Sequence, residues 1–386
     1  MHNYFSSAFK LGILGGGQLG KMMLYDTRKY DIQTYVVDPN PEAPCKIACN
    51  HFEKGDLMDF DTVVNFGRKV DLLTFEIETV NVEALEQLEK EGKKVFPSAE
   101  TLRKIQDKGV QKEFYKANDI PTAQFVKYET KAELTEAIIR KERQFPFVWK
   151  STTGGYDGKG VRVIKEQEDL IPVEEVPCIV EEMIRFKNEL AVIVARSVSG
   201  EVKTYPVVEM EFHPEANQVE YVICPARIEA KVAQKAREVA TKVSRTFEHV
   251  GLLAVELFQT QDDEILVNEV APRPHNSGHY SIEASFTNQF EQHLRAILDL
   301  PLGNTDSKVG GVMVNLVGDE NHEGNVYYQN IEKIMQMDGV TPHIYGKKQT
   351  RPFRKMGHVT IVNKDLSEAR KIAEKVKNEI KVISRD

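Results

Sequence analysis

Over the first hundred residues, short β-branched runs alternate with amphipathic helical stretches: LGIL, QLGKMMLYDTRKY, QTYVVD, Phe60–Arg68, then DLLTFEI. That rhythm predicts βαβ units and a parallel sheet. Residues 98–116 read as one long charged helix, and Asp119-Ile120-Pro121-Thr122 as a turn into a strand at 124–128. A boundary near residue 105 follows. From there to about residue 300 strands dominate: FPFVWK, VRVIK, CIVEEMI, LAVIVARS, TYPVVEME, YVICPARI, LLAVELF and EILVNEV, interrupted by a helix at 230–249. This predicts an α+β domain with antiparallel sheets. Pro301-Leu302-Gly303 marks the next break, and the remainder ends in a helix at 366–377 and a strand, KVIS. The fold class is α/β and α+β multidomain, divided at 1–105, 106–300 (core about 112–298) and 301–386.

With 386 residues, 41% hydrophobic and 28% charged, the chain buries substantial cores. A net charge of -8 argues against a sequence-independent nucleic-acid partner, which needs a basic surface. The start, Met1 to Lys10, lacks the apolar core of a secretory signal, and no later apolar run approaches a membrane span. A cytoplasmic protein with no membrane partner is the expectation. Cys45, Cys49, Cys178 and Cys224 are too scattered for a disulfide framework or a zinc site, which predicts reduced thiols.

Two glycine loops invite a phosphate. Gly15-x-Gly17-x-x-Gly20 follows a strand, opens a helix and is answered by Asp38 at the end of the next strand, the arrangement of a dinucleotide site. Glycines ahead of a helix nevertheless expose amides to any anion, a single ribose phosphate included, so NAD is not required. The second loop runs from Ser151 to Gly160 between a strand carrying Lys150 and the strand Val161–Ile164. Strand, loop, strand is a hairpin lid rather than a P-loop, and its backbone can fold over phosphates.

LLAVELF, residues 259–264 and ILVNEV form a further hairpin by alternation. With Asp262-Asp263 as a two-residue turn, cross-strand partners have numbers summing to 525, which sets Glu256 opposite Glu269. Like charges so placed are destabilising unless neutralised, and oxygen ligands in that number suit Mg²⁺ shared with substrate phosphates. In a regular strand Asn268 faces away from Glu269, so its joining the site requires a bulge.

Lys150, the glycine lid, the Glu256 and Asn268-Glu269 hairpin and the preceding glycine-rich domain, in this order, resemble the ATP-grasp superfamily across nearly the whole chain. GILGGGQLGKMM, GGYDGKG, NEVAPRPHNSGHYSIEAS and RKMGHVTI are similar to the 5-(carboxyamino)imidazole ribonucleotide synthase family within it. The resemblance implies an ATP-grasp fold with an N-terminal Rossmann-like (pre-ATP-grasp) domain and a small C-terminal domain. It implies a ligase of purine biosynthesis that joins bicarbonate to 5-aminoimidazole ribonucleotide through carboxyphosphate, giving ADP and phosphate. The implied assembly is a homodimer. The implied cofactors are ATP and two Mg²⁺ ions, Mn²⁺ being an alternative, with Glu256 and Glu269 as metal ligands.

By the same resemblance Lys108 and Lys150 touch ATP phosphates beneath Gly155, Tyr156, Asp157, Gly158, Lys159, Gly160 and Val161. Glu181, Glu182, Met183 and Ile184 line the adenine, Glu189 meets the ribose, and Asn268 joins Glu269 at the nucleotide. Tyr156, Asp157, Arg273 and His275 surround the reacting groups, Asp157 being the candidate for the amine proton. Lys347, Arg354 and Lys355, with the amides of Gly17 and Gln18, are expected at the ribose phosphate. Glu78 is the choice for ribose hydroxyls, in competition with Glu76. The family usually has arginine where Lys108 stands and glutamine where Val161 stands, and its histidine after the Glu-rich strand falls at Phe212 or His213. A formate-dependent glycinamide ribonucleotide transformylase of the same fold is the close alternative, and an NAD-dependent oxidoreductase the distant one.

Overall fold

The computed structural model describes residues 4–155, 160–213 and 218–385. Its first sheet is parallel, ordered His51–Lys54, Gln33–Asp38, Lys10–Leu14, Leu72–Phe75, Lys94–Val95. Leu11, Ile13 and Leu14 of the central strand are fully buried, as expected of a parallel strand covered on both faces. Strand order reverses on either side of Lys10–Leu14, so the carboxyl ends carrying Gly15 to Gly17 and Glu76 to Glu78 flank the crevice where open α/β sheets bind ligands.

Residues 98–116 are not one helix. Helices Ala99–Gln106 and Lys108–Ala117 meet at Asp107, whose extended backbone breaks the first while its carboxylate accepts from Val110 N and caps the second. The break starts the second helix at Lys108 and anchors it to the lid, since Lys108 N donates to Thr152 O at 2.7 Å.

A four-stranded antiparallel sheet follows, ordered Phe125–Tyr128, Cys178–Glu182, Phe147–Ser151, Val161–Ile164. Lys150 pairs with Val161, so the glycine loop closes a hairpin as expected. The largest sheet is antiparallel and runs from Ile265–Ala271 through Gly251–Thr260, Phe186–Arg196, Val208–Phe212 and Val219–Cys224. It continues into Gly310–Val317, Lys355–Asn363 and Val340–Ile344, so the sheet is unbroken across position 300. Helix Ala230–Phe247 covers it with Val232, Ala236, Ala240, Val243 and Phe247, a stripe at helical spacing packed on Leu190, Val192, Val255 and Leu257.

Helix Gln289–Ile297 ties the first sheet to the rest. Phe290, Leu294 and Ile297 share one core with Leu11, Ile13, Met22 and Met23 of the parallel sheet and its first helix. Glu291 accepts from Lys29 Nζ and Tyr30 Oη, and Thr74 Oγ1 lies 2.9 Å from His293 Nε2. Cys45, Cys178 and Cys224 are buried and all four cysteines are free thiols. Among the described residues no helix is long and apolar enough to cross a membrane.

Candidate active site

The acidic hairpin brings Glu256 and Glu269 opposite each other, but by a different route from the expected one. The turn is not the two residues Asp262-Asp263. Thr260 N bonds Glu264 O at 2.9 Å and Asp263 takes φ 62°, so Gln261, Asp262 and Asp263 form a three-residue loop whose last member is left-handed. Near the turn Gln259 pairs with Ile265, Phe258 with Leu266 and Leu257 with Val267, one step off the expected register. A bulge between Leu257 and Glu256 then restores it, and the extra residue is Asn268. The bulge also aims Asn268 inward, where its Oδ1 accepts from Lys150 Nζ at 2.9 Å.

Charges converge here from five helices and strands and from the segment that carries His275. Lys108 Nζ is 2.6 Å from Glu269 Oε2, Lys150 Nζ is 2.9 Å from Glu181 Oε2, and His275 Nε2 is 3.5 Å from Glu256 Oε1. The carboxyls of the facing pair are driven apart. Burial, then the Glu269 and Glu189 charges, push Glu256 well up, whereas the Lys108 ammonium holds Glu269 down. Glu269 keeps 42% of its side chain exposed against 16% for Glu256, so the lysine rather than the surroundings governs it. Glu189 is raised to about 7, chiefly by burial and then by Glu269, with Lys150 opposing. Among the described residues no three His, Cys, Asp or Glu side chains are grouped to hold a metal. Two facing carboxylates are instead the contribution that Mg²⁺ takes from a protein when phosphates and water complete its shell.

Glu181 is buried and lies between two ammoniums, with Lys112 Nζ 2.9 Å from Oε1 and Lys150 on Oε2. Its carboxylate therefore faces the lysines. Glu182 continues the edge, bonding Gln124 through N to O at 2.9 Å and accepting from Gln124 N, and Met183 beside it is 43% exposed. Ile184 is half-buried next to this open apolar lip. Gly155, Gly160 and Val161 frame the lid, Gly160 O accepting from Ser151 N at 2.9 Å. Tyr156, Asp157, Gly158 and Lys159 lie outside the described residues.

On the other side of the hairpin Arg273 Nη2 is 2.9 Å from Glu78 Oε1. Glu76 does not compete for that place. It is 7% exposed and accepts from the amides of Gly17 at 2.7 Å, Leu19 at 3.1 Å and Gly20 at 3.0 Å. This corrects the first glycine loop: its amides do bind an anion, but the anion is the chain's own carboxylate. Gly17 N is thereby unavailable to a ribose phosphate, and a dinucleotide pyrophosphate would have to expel Glu76. Gln18 opens the helix Gln18–Lys29 beside this cradle.

Lys347 Nζ donates to Lys355 O at 2.7 Å and Arg354 Nη1 to Gln349 O at 2.6 Å, which gathers the three basic residues at the start of strand Lys355–Asn363. The Lys355 charge is felt at Glu256. His213 lies edge-on to Phe353, ring centroids 6.1 Å apart, at a separate cavity of about 320 Å³ that Asn315 and Lys377 also line.

Two residues escaped the sequence reading. Lys112, 2% exposed, has a usable signal: it follows Lys108 by four positions on one helix and so shares its face. Gln289 has none, since it acts from fourteen residues away, accepting from His275 N at 2.9 Å and donating to His275 O at 2.8 Å.

Family models match the chain in three stretches: the ATP-grasp domain at 113–290, the ribonucleotide synthetase preATP-grasp domain at 8–106 and the phosphoribosylaminoimidazole carboxylase C-terminal domain at 311–372. The N5-carboxyaminoimidazole ribonucleotide synthase of Bacillus subtilis is 39% identical over 91% of this chain and 91% of its own. The phosphoribosylaminoimidazole carboxylase of Saccharomyces cerevisiae is 38% identical over 93% of this chain, which spans 64% of that longer protein. Among solved structures, N5-carboxyaminoimidazole ribonucleotide synthetase from Thermotoga maritima superposes with a TM-score of 0.88 at 42% identity, covering 98% of this chain and 100% of that one. The Aspergillus clavatus synthase in complex with ADP and 5-aminoimidazole ribonucleotide gives 0.87 at 33% identity, covering 96% and 98%. Three matched domains in the expected order, and this identity over nine-tenths of the chain, place the protein in the N5-carboxyaminoimidazole ribonucleotide synthase family of ATP-grasp ligases.

Proposed function

We infer that the protein carboxylates the amine of 5-aminoimidazole ribonucleotide with bicarbonate, using ATP and releasing ADP and phosphate, in purine biosynthesis. The facing pair Glu256 and Glu269, with Lys108 and the Lys150–Asn268 contact beside it, supports the use of ATP and metal. The likeness to the Bacillus subtilis synthase over nine-tenths of both chains carries the choice of substrate. Bicarbonate is a poor electrophile until one of its oxygens is phosphorylated. The amine nitrogen then forms its bond to the carboxyl carbon, the carbon–oxygen bond to phosphate breaks, and the amine loses a proton.

Glu256 and Glu269 would hold Mg²⁺, which supplies charge neutralisation on the nucleotide phosphates when bound. Lys108 and Lys150 bring ammoniums to the transferred group, and the main chain at Glu181 to Ile184 together with Glu189 receives the nucleoside. Arg273, oriented by Glu78, and His275, braced by Gln289, bound the aminoimidazole side. Lys347, Arg354 and Lys355 offer the ribose phosphate its cations. Asp157 in the lid is our choice for the proton acceptor, and Tyr156 stands beside it in sequence. A cytoplasmic homodimer completes the proposal, the free thiols suiting a reducing compartment.

The test is ADP release by purified protein with Mg·ATP. Release should require both 5-aminoimidazole ribonucleotide and bicarbonate, stop with EDTA, and not be restored by formate with glycinamide ribonucleotide. ADP formation with formate and glycinamide ribonucleotide alone would assign the transformylase activity instead.

A further inference from the structure

We propose that Lys112 is a positioning residue for phosphoryl transfer, fixing through Glu181 and Thr122 how far Lys150 stands from the acidic hairpin. The proposal rests on the ATP-grasp reading above. Lys112 is 2% exposed, so it touches no nucleotide itself and acts through what it holds. Its Nζ is 2.9 Å from Glu181 Oε1 and donates to Thr122 Oγ1 at 2.6 Å. Thr122 Oγ1 in turn donates to Val267 O at 2.7 Å, the residue before the bulged Asn268. The second oxygen of Glu181 takes Lys150, which reaches across to Asn268.

One ammonium thus joins three elements that carry different parts of the site. They are helix Lys108–Ala117 with Lys108, strand Cys178–Glu182 with the adenine lip, and strand Ile265–Ala271 with Asn268 and Glu269. Without Lys112, Glu181 would be gripped on one oxygen only and Lys150 could swing with the lid sheet. Gripped on both, the carboxylate plane is fixed and Lys150 is aimed.

The charge count points the same way. A buried pair kept for stability alone would be neutral, and an apolar replacement generally does as well. Two lysines on one carboxylate leave a net positive charge in a place nearly without water, which suits an arriving phosphate.

Lys112→Met, Glu181→Gln, their double variant and Thr122→Val test this, with three measurements on each. These are kcat and KM from ADP release, MgADP affinity by calorimetry, and the urea midpoint. Misaiming a group by an ångström costs about 100-fold in rate, so Lys112→Met should lose ~10–100-fold in kcat with weaker MgADP binding. The KM for 5-aminoimidazole ribonucleotide should stay within about twofold, because Lys112 reaches that site through no contact. The double variant should be no worse than Glu181→Gln, the signature of one residue acting through the other.

A folded Lys112→Met with kcat and MgADP affinity near wild type overturns the proposal, as does a loss that adds in full to that of Glu181→Gln. Should Lys112→Met not fold, Thr122→Val decides: a lowered kcat at unchanged KM for the ribonucleotide supports it, and wild-type kcat refutes it. Wild-type protein that binds MgADP but turns over no aminoimidazole ribonucleotide defeats the functional reading alone, and the MgADP affinities of the variants still decide on Lys112.

Discussion

Glu189→Gln separates stability from function. Burial and the nearby Glu269 raise the Glu189 carboxyl from 4.5 to about 7, so the folded protein resists ionising it where the unfolded chain does not. An acid with a raised folded pKa favours the folded state below 4.5, and that advantage is lost as pH rises toward 7. At about 1.4 kcal/mol per unit, the ionised carboxylate should cost about 3 kcal/mol at pH 8. Glutamine has the same shape and no charge. In EDTA without nucleotide, Glu189→Gln should therefore be more stable than wild type by about 3 kcal/mol at pH 8 and equal to it at pH 4.5. The nucleotide should report the opposite sign, because a carboxylate is the stronger acceptor for ribose hydroxyls. Losing a charged hydrogen bond of roughly 1.5–3 kcal/mol predicts about a tenfold or greater fall in MgADP affinity. Urea denaturation at the two pH values and calorimetry at pH 8 make the comparison. A variant no more stable at pH 8, or equally gained at pH 4.5, would refute the claim that the folded protein resists ionising Glu189.

Three further outcomes follow from the geometry. Asn268→Ala removes the acceptor of Lys150 without touching the Glu256–Glu269 pairing, so turnover should fall about tenfold at unchanged stability, and activity within twofold of wild type would contradict the role given to the bulge. Glu76→Ala strips the anion from three glycine-loop amides and should cost about 3 kcal/mol in a urea titration; no loss would mean that water serves the cradle as well. His293, fully buried, accepts from Leu252 N through Nδ1 and is held down to about 3 from 6.5 by burial, so stability should drop by about 1.4 kcal/mol per unit as pH falls below 6.5. That slope should be shallower by about this amount in His293→Asn, His249 being held down to about 4 as well, and an unchanged slope would locate the acid sensitivity elsewhere.

The hairpin shows how far sequence reaches and where it stops. Alternation placed both strands, and the facing of Glu256 and Glu269 was legible, yet the loop is one residue longer than expected and a bulge removes the difference. Two adjustments of one residue each cancel at the carboxylates and not between them, which is why Asn268 was the uncertain member. Loop length and bulge both depend on local backbone twist, which a hydrophobic pattern does not encode. The glycine loop was legible as an anion cradle, but its occupant comes from a strand 56 to 59 residues away and leaves no local trace. The single helix expected at 98–116 failed at Asp107, a good cap inside a helix-compatible run.

The core that helix Gln289–Ile297 shares with the first sheet bears on how the chain is made. The parallel strands emerge from the ribosome before helix Gln289–Ile297, but the apolar surface of Leu11 and Ile13 is completed by Phe290, Leu294 and Ile297 of that helix. At roughly 5–20 residues per second, some 190 residues and about 10–40 s separate the end of the first sheet from the helix that closes it. During that interval the nascent sheet has only Leu19, Met22 and Met23 of its own first helix over that face, and the part that Phe290, Leu294 and Ile297 later cover stays exposed to aggregation.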